Sequence, residues 1–192
     1  MEAFLISAGI VALGEMGDKT QLLALMLAAR FRSPAPIIAG ILVATLANHA
    51  IAGYLGSLVR SWLSPDVLRW VVAVSFFAVA VWALKPDTLD AEVRAPASRW
   101  GVFGVTLVAF FLAEIGDKTQ VATMVLAARF DSLAAVVLGT TCGMLAADVP
   151  VVLIGKAAAG RIPFRAVRIA AALLSAALGA YTLFAPGLPQ GG

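Results

Sequence analysis

The sequence predicts an all-α integral membrane protein whose six transmembrane helices form two inverted three-helix repeats. Of its 192 residues, 61% are hydrophobic and 13% are charged, whereas soluble domains carry about 25% charged residues. The apolar runs are long enough for helices of roughly 20 residues, the length that crosses a hydrocarbon core of about 30 Å. A sequence pattern that recurs 99 residues later, at Glu15 and again at Glu114, divides the chain into two halves.

Polar and proline-containing breaks separate the apolar runs into six spans, and Ser33-Pro34 and Ser64-Pro65 are two of these breaks. We expect the spans at about residues 3–29, 35–57, 67–84, 102–128, 134–156 and 166–184. Outside the motifs, nine Lys and Arg residues fall on the side that holds the first, third and fifth connections, and three fall on the other side. The first side is therefore expected to be cytoplasmic, with both termini outside.

The two halves match each other without a gap at the constant offset of 99 residues. The register extends from Phe4 with Phe103 to Arg69 with Arg168. The halves are expected as a first repeat (1–86), a cytoplasmic linker (87–100), a second repeat (101–186) and a short tail (187–192). Because each repeat has three spans, an odd number, the second must enter the membrane from the opposite side, an arrangement found in many secondary transporters.

One motif carries charge into the apolar runs of both repeats: Glu15-Met-Gly-Asp-Lys-Thr-Gln21 and Glu114-Ile-Gly-Asp-Lys-Thr-Gln120. A charged side chain at the bilayer centre costs at least about 2.5 kcal/mol, so such residues indicate a functional site. On a continuous helix the Glu, Asp and Lys of each motif lie on one face, close to mid-membrane. The predicted cation-binding and proton-binding residues, which are also the predicted metal ligands, are Glu15, Asp18, Glu114 and Asp117.

The charge of the two motifs narrows the chemistry. Four carboxylates and two lysines sum to −2, which one divalent cation or two protons would neutralise equally well. Such mutually exclusive occupancy is the physical basis of cation/proton antiport. Oxygen ligands favour Ca²⁺, Mg²⁺ or Mn²⁺, and these ions are transported substrates, so no permanent cofactor is expected.

The other polar residues of the motifs are candidates for supporting roles. Lys19 and Lys118 either neutralise the carboxylates or take a direct part in handling the substrate. The alternative structural explanation of the motifs is that they only form intrahelical Glu–Lys ion pairs. Neutral oxygens are available from Thr20, Gln21, Thr119 and Gln120, although on an unbroken helix Thr20 and Gln21 point partly away from the carboxylates. The glycine of each motif permits either local unwinding or close helix packing.

The second span of each repeat adds three further polar candidates. His49 in the first repeat is matched by Asp148 in the second, while its neighbour Asn48 is matched by Ala147. This asymmetry could assign the proton step to one half of the site, and hydrogen-bonded packing is the alternative for His49 and Asn48.

The doubled Glu-x-Gly-Asp-Lys-Thr motif in two three-helix halves resembles a known family, the small cation:proton antiporters of bacterial membranes, chloroplasts and the Golgi, which move Mn²⁺ and Ca²⁺. The resemblance covers essentially all of the chain and implies cation and proton binding by the Glu and Asp residues of both motifs. Lys19, Thr20, Lys118 and Thr119 complete the signatures. Asp148 departs from the Asn that is common at its position in the family.

We therefore expect a secondary transporter that exports Mn²⁺, or alternatively Ca²⁺, in exchange for protons across the inner (plasma) membrane of a bacterium. Two other functions stay open: export of a small organic cation such as a basic amino acid, and a non-transporting subunit that assembles or regulates a partner complex. An enzyme is not expected, because the sequence has no Ser/His, Cys/His or His-Glu-x-x-His arrangement. The expected partners are the metal ion, protons and the lipid bilayer, and no nucleic acid is expected. The sequence leaves open whether the chain forms a homo-oligomer.

Overall fold

All regular secondary structure in the described residues, 1–85, 101–154 and 164–184 of a computed structural model, is α-helical. The predicted linker, 87–100, and the predicted tail, 187–192, lie outside these residues. The helices in the described part of the chain are α1 (Glu2–Glu15), α2 (Lys19–Phe31), α3 (Pro34–Trp62), α4 (Pro65–Ala83), α5 (Gly101–Glu114), α6 (Lys118–Arg129), α7 (Leu133–Ile154) and α8 (Phe164–Phe184).

Three of these helices, α3, α4 and α7, are long and apolar enough to cross a membrane. They correspond to the predicted spans 35–57, 67–84 and 134–156. Helices α3 and α4 begin at Pro34 and Pro65, because proline lacks the N–H that the first helical turn leaves unpaired and has the φ angle that the turn needs. The helical composition and these spans identify a membrane protein.

The helix is interrupted at each motif, which is the local unwinding that the sequence left open beside close helix packing. The predicted spans 3–29 and 102–128 each consist of two helices separated at the motif: α1 ends at Glu15 and α2 begins at Lys19, and the second repeat breaks at the equivalent residues. Gly17 and Gly116 have φ angles of 84° and 76°, a conformation that glycine adopts without a steric cost. Local unwinding, rather than close packing, is therefore the role of these two glycines.

The half-helix that begins each repeat packs on the long helix of the other repeat: α1 lies against α7 and α5 lies against α3. At Gly139 of α7 a Cβ atom would lie 2.5 Å from the backbone oxygen of Phe4 and 3.0 Å from the side chain of Ser7. The two backbones thus approach as closely as glycine permits. The same contact recurs between the residues 99 positions away, Gly40, Phe103 and Thr106.

Helices α4 and α8 pack against each other, and Gly179 of α8 lies against the backbone of Ala73 in α4. The pair also packs on the rest of the molecule, with α4 on α6 and α8 on α1. The third helices of the two repeats therefore form one layer beside the broken helices.

Replacing Gly139 by Ala should destabilise the protein by about 1–3 kcal/mol, because the new Cβ would press against backbone atoms that cannot rotate away. Gly9→Ala is the matched control, since no atom lies within 4 Å of a Cβ at that helical position and alanine favours helix. Thermal unfolding in detergent, followed by tryptophan fluorescence, measures both. Equal melting temperatures for the two variants would contradict the close α1–α7 approach.

Candidate cation site

The site is built where the two helix breaks meet. Glu15 and Glu114 are the last residues of α1 and α5, and Asp18 and Asp117 immediately precede α2 and α6. All four carboxylates are buried. Because α1 packs on α6 and α2 packs on α5, the four half-helix ends converge, as interrupted helices do around the substrates of other transporters.

The structure brings three of the four predicted carboxylates to within reach of one ion. One carboxylate oxygen each from Glu15, Glu114 and Asp117 lies within 4.8 Å of the other two. The ligands of a Ca²⁺ or Mn²⁺ ion are of this oxygen type. Asp18, the fourth predicted residue, is buried beside them in an ion pair with Lys118.

A threonine holds one oxygen of each glutamate. Thr20 Oγ1 donates a hydrogen bond of 2.5 Å to Glu15 Oε2, and Thr119 Oγ1 donates one of 3.0 Å to Glu114 Oε2. The expectation that Thr20 points away from the carboxylates was wrong, because the break turns the first residues of α2 towards the end of α1.

The second oxygen of each glutamate is buried and has no hydrogen-bond partner among the described residues; these atoms are Oε1 of Glu15 and Oε1 of Glu114. A buried carboxylate oxygen without a partner is costly. Each glutamate therefore presents one oxygen that a cation or a proton would stabilise.

The lysines pair across the two repeats. Lys19 Nζ lies 2.9 Å from Asp117 Oδ1, and Lys118 Nζ lies 2.5 Å from Asp18 Oδ1. These crossed ion pairs replace the intrahelical Glu–Lys pairs that were the structural alternative, since each lysine reaches an aspartate of the other motif. The pairs differ in environment: the side chain of Lys19 is 26% exposed and that of Lys118 is 5% exposed.

The two glutamines stabilise the breaks. Gln21 Oε1 accepts a hydrogen bond of 2.9 Å from the N–H of Gly17, and Gln120 Oε1 accepts one of 2.8 Å from the N–H of Gly116. Gln21 Nε2 also donates a 3.1 Å bond to the backbone oxygen of Ala147 in α7. The side-chain oxygens, predicted as neutral ligands, thus bind backbone N–H groups of the unwound segments.

The candidates on the long helices lie in different surroundings. Asn48 donates a hydrogen bond of 3.0 Å to the backbone oxygen of Phe111 near the end of α5. His49 and Asp148 are both fully buried, and their side-chain polar atoms have no hydrogen-bond partner among the described residues. Asp148 lies near Glu15 and Glu114.

One polar residue near these candidates did not stand out in the sequence. Thr45 is buried, and its hydroxyl has no partner among the described residues. It precedes His49 by four residues and therefore shares its face of α3. That spacing was the available signal, but a threonine in an apolar helix commonly bonds to its own backbone.

Comparison with known proteins finds a family model and relatives that match most of the chain. A family model described as "Divalent cation/proton antiporter GDT1" matches residues 3–91 and 102–188. A Vibrio cholerae serotype O1 protein named "Putative manganese exporter" is 55% identical over 169 residues, which cover 88% of this chain and 84% of that protein. A GDT1-like protein from Synechocystis sp. is 27% identical over 198 residues, covering 91% of this chain and 93% of that protein. No solved structure matches the chain.

These matches confirm the resemblance to the cation:proton antiporters that the doubled Glu-x-Gly-Asp-Lys-Thr motif indicated. The two matched segments exclude only the central region and the ends of the chain, and the family is one of transporters rather than enzymes. The chain belongs to the GDT1 family of divalent cation/proton antiporters.

Proposed function

We propose that this protein exports Mn²⁺ from the cytoplasm of a bacterium in exchange for protons, and that Glu15, Asp18, Glu114 and Asp117 form the exchange site. The observation that supports the site most directly is the pair of buried glutamates, each with one carboxylate oxygen that lacks a partner among the described residues. Asp117 lies within reach of the same ion.

The crossed ion pairs divide the charge of the site into two parts. Lys19 and Lys118 balance Asp117 and Asp18, so the remaining charge of −2 belongs to the two glutamates. One divalent cation or two protons compensate that charge, and an uncompensated pair of buried carboxylates is strongly disfavoured. Binding of metal therefore requires loss of protons, and binding of protons requires loss of metal, which couples the two fluxes.

Manganese is the proposed substrate, with calcium as the second candidate. The carboxylate and hydroxyl oxygens at the site suit both ions, and the name of the Vibrio cholerae relative supports manganese. Because protons enter a bacterium down their gradient, exchange drives the metal outwards.

We propose that the site lies between two inverted three-helix repeats, residues 1–86 and 101–186, in a six-span inner-membrane protein with both termini outside. Three observations support this topology. The family model matches each half separately, the ion pairs connect each motif to the other, and the contact at Gly139 recurs at Gly40 with equivalent partners.

The remaining polar residues support the exchange site in this proposal. Thr20 and Thr119 orient the glutamates, and Gln21 and Gln120 hold the unwound segments. Asp148, which is fully buried near the glutamates, is assigned to the lining of the site. Asn48, with its bond to the end of α5, and His49 on the same helix are assigned to the lining of the site.

Purified protein in liposomes with an acidic interior should take up Mn²⁺ as protons leave, and Glu15→Gln or Glu114→Gln should reduce uptake to that of empty liposomes. Each substitution removes a charge that the divalent cation needs while keeping the size of the side chain. Quenching of calcein inside the liposomes measures uptake, and Ca²⁺, Mg²⁺ and arginine compete in parallel. Glu2→Gln, at an exposed position on α1, is the control.

Uptake by both glutamine variants at the wild-type rate would contradict the exchange site. If arginine, but not Mn²⁺, drives protons out of the liposomes, the substrate is instead an organic cation.

Lys118→Met should destabilise the metal-free protein by about 3 kcal/mol, because it breaks a buried ion pair. Lys19→Met should cost less, since the side chain of Lys19 is 26% exposed rather than buried. Unfolding of both variants in detergent without divalent metal measures the difference. The double variant Lys118→Met/Asp18→Asn should recover part of the loss, and additive losses would show that the pair contributes nothing.

A further inference from the structure

The two repeats do not pack identically around the exchange site. Helices α4 and α8 pack extensively on each other, α4 packs on α6, and α8 packs on α1. Within the described residues, neither α4 nor α8 makes comparable contact with α2 or α5. The third helices therefore cover one pair of half-helices, α1 and α6, and leave the other pair, α2 and α5, uncovered.

The hydrophobic core shows the same division. One core cluster joins α4 to α6 through Val72, Phe76 and Val79 on α4 and Val125 and Leu126 on α6. A second core cluster is formed by residues of α2, α3, α5 and α7, and none of its described members belongs to α4 or α8.

Equivalent positions in the two motifs consequently differ in exposure. The Lys118 side chain is 5% exposed and the equivalent Lys19 side chain is 26% exposed. Two turns further along, Val125 is buried, whereas the equivalent Met26 is exposed. Since the two helices have nearly the same sequence in the motif, the difference comes from what covers them.

On the covered side there is no room for a hydrated ion. A cavity of about 10 Å³ lies between α1, α4, α6 and α8, and Lys118 and Thr119 contribute to its lining. That volume is roughly the space of one water molecule. This cavity therefore offers no passage for a hydrated ion on the covered side.

The uncovered half-helices have apolar faces equivalent to those that α4 and α8 already occupy. Leu13 on α1 packs against a small apolar cluster that includes Ala171 of α8, and Ala171 also lines the small cavity beside α1. The equivalent of Leu13 on α5, Leu112, is 63% exposed. The equivalent of Ala171 is Val72 on α4, which belongs to the cluster that joins α4 to α6 in the described arrangement. A second arrangement with α4 on α5 and α8 on α2 would thus repeat contacts that the structure already contains.

We propose that α4 and α8 move together as one body between these two arrangements. In the described arrangement they close the side of α1 and α6. In the other, α4 leaves α6 for α5 and α8 leaves α1 for α2, which covers Lys19 and uncovers Lys118. The proposal rests on the exchange function, for which it supplies the moving part. With the proposed orientation, α1 and α6 form the outer half of the broken helices, so the described state is closed towards the outside.

Cysteine pairs test the two arrangements in a Cys142→Ala background, which removes the single, exposed native thiol. A short bifunctional thiol reagent should cross-link Leu13→Cys to Ala171→Cys in the described arrangement and Leu112→Cys to Val72→Cys in the other. Both pairs should form in membranes, and each cross-link should stop Mn²⁺ uptake until it is reduced. The pair Ala80→Cys with Ala172→Cys, which joins α4 to α8 within the moving body, should cross-link without stopping uptake.

The cross-linking yields do not depend on the substrate, which separates this proposal from the proposed function. Failure of the Leu112–Val72 pair to cross-link in membranes would overturn the movement, and so would a complete loss of uptake on cross-linking Ala80 to Ala172. If the Leu112–Val72 pair forms but the reduced protein moves no Mn²⁺, the movement stands and the assigned substrate is wrong. Val79→Cys with Ala122→Cys, on opposite walls of the small cavity, replaces the Leu13–Ala171 pair if that variant fails to fold.

Discussion

The fold depends on the need to compensate the six charged side chains of the two motifs, five of which are buried among apolar helices. A carboxylate or ammonium group is stable there only when other groups compensate its charge, and no single motif contains enough compensation. The solution is to break both helices and bring the breaks together, so that each lysine reaches the aspartate of the other motif. The glycines with positive φ, the glutamines that bind the unwound backbone and the threonines that hold the glutamates all serve this arrangement.

The two lysines compensate the charges of the two aspartates but not those of the two glutamates. This leaves the glutamates available to bind a cation or a proton. Had the glutamates also been paired, the site would be a stable polar core with no affinity for a cation. Instead Glu15 and Glu114 each keep one carboxylate oxygen without a partner among the described residues. The energy that these oxygens cost the empty protein is available to bind an ion or a proton.

The sequence predicted the charge of the site but not its geometry. The motif residues, their repetition and the sum of −2 follow from residue identity alone, and the structure brings those residues together. The break in each helix could not be predicted outright, because Gly17 and Gly116 allow either packing or unwinding, and a helical periodicity cannot distinguish the two. The crossed pairing followed from that break and was therefore not predicted. The sequence does not predict that α4 packs on α6 but not on α2, since Lys19 and Lys118 lie in nearly identical segments.

The contacts between the repeats also have a consequence for their origin. Every motif lysine pairs with the other repeat, and each opening half-helix lies on the other repeat's long helix, so neither half completes its own site. In the proposed inverted arrangement, a single three-helix unit that preceded the duplication could have worked only as two copies inserted in opposite directions in the same membrane. Such a unit needs a nearly even distribution of Lys and Arg between its two ends, because a strong imbalance would fix one orientation. Joining the copies into one chain removes that restriction and lets each half acquire its own charge bias.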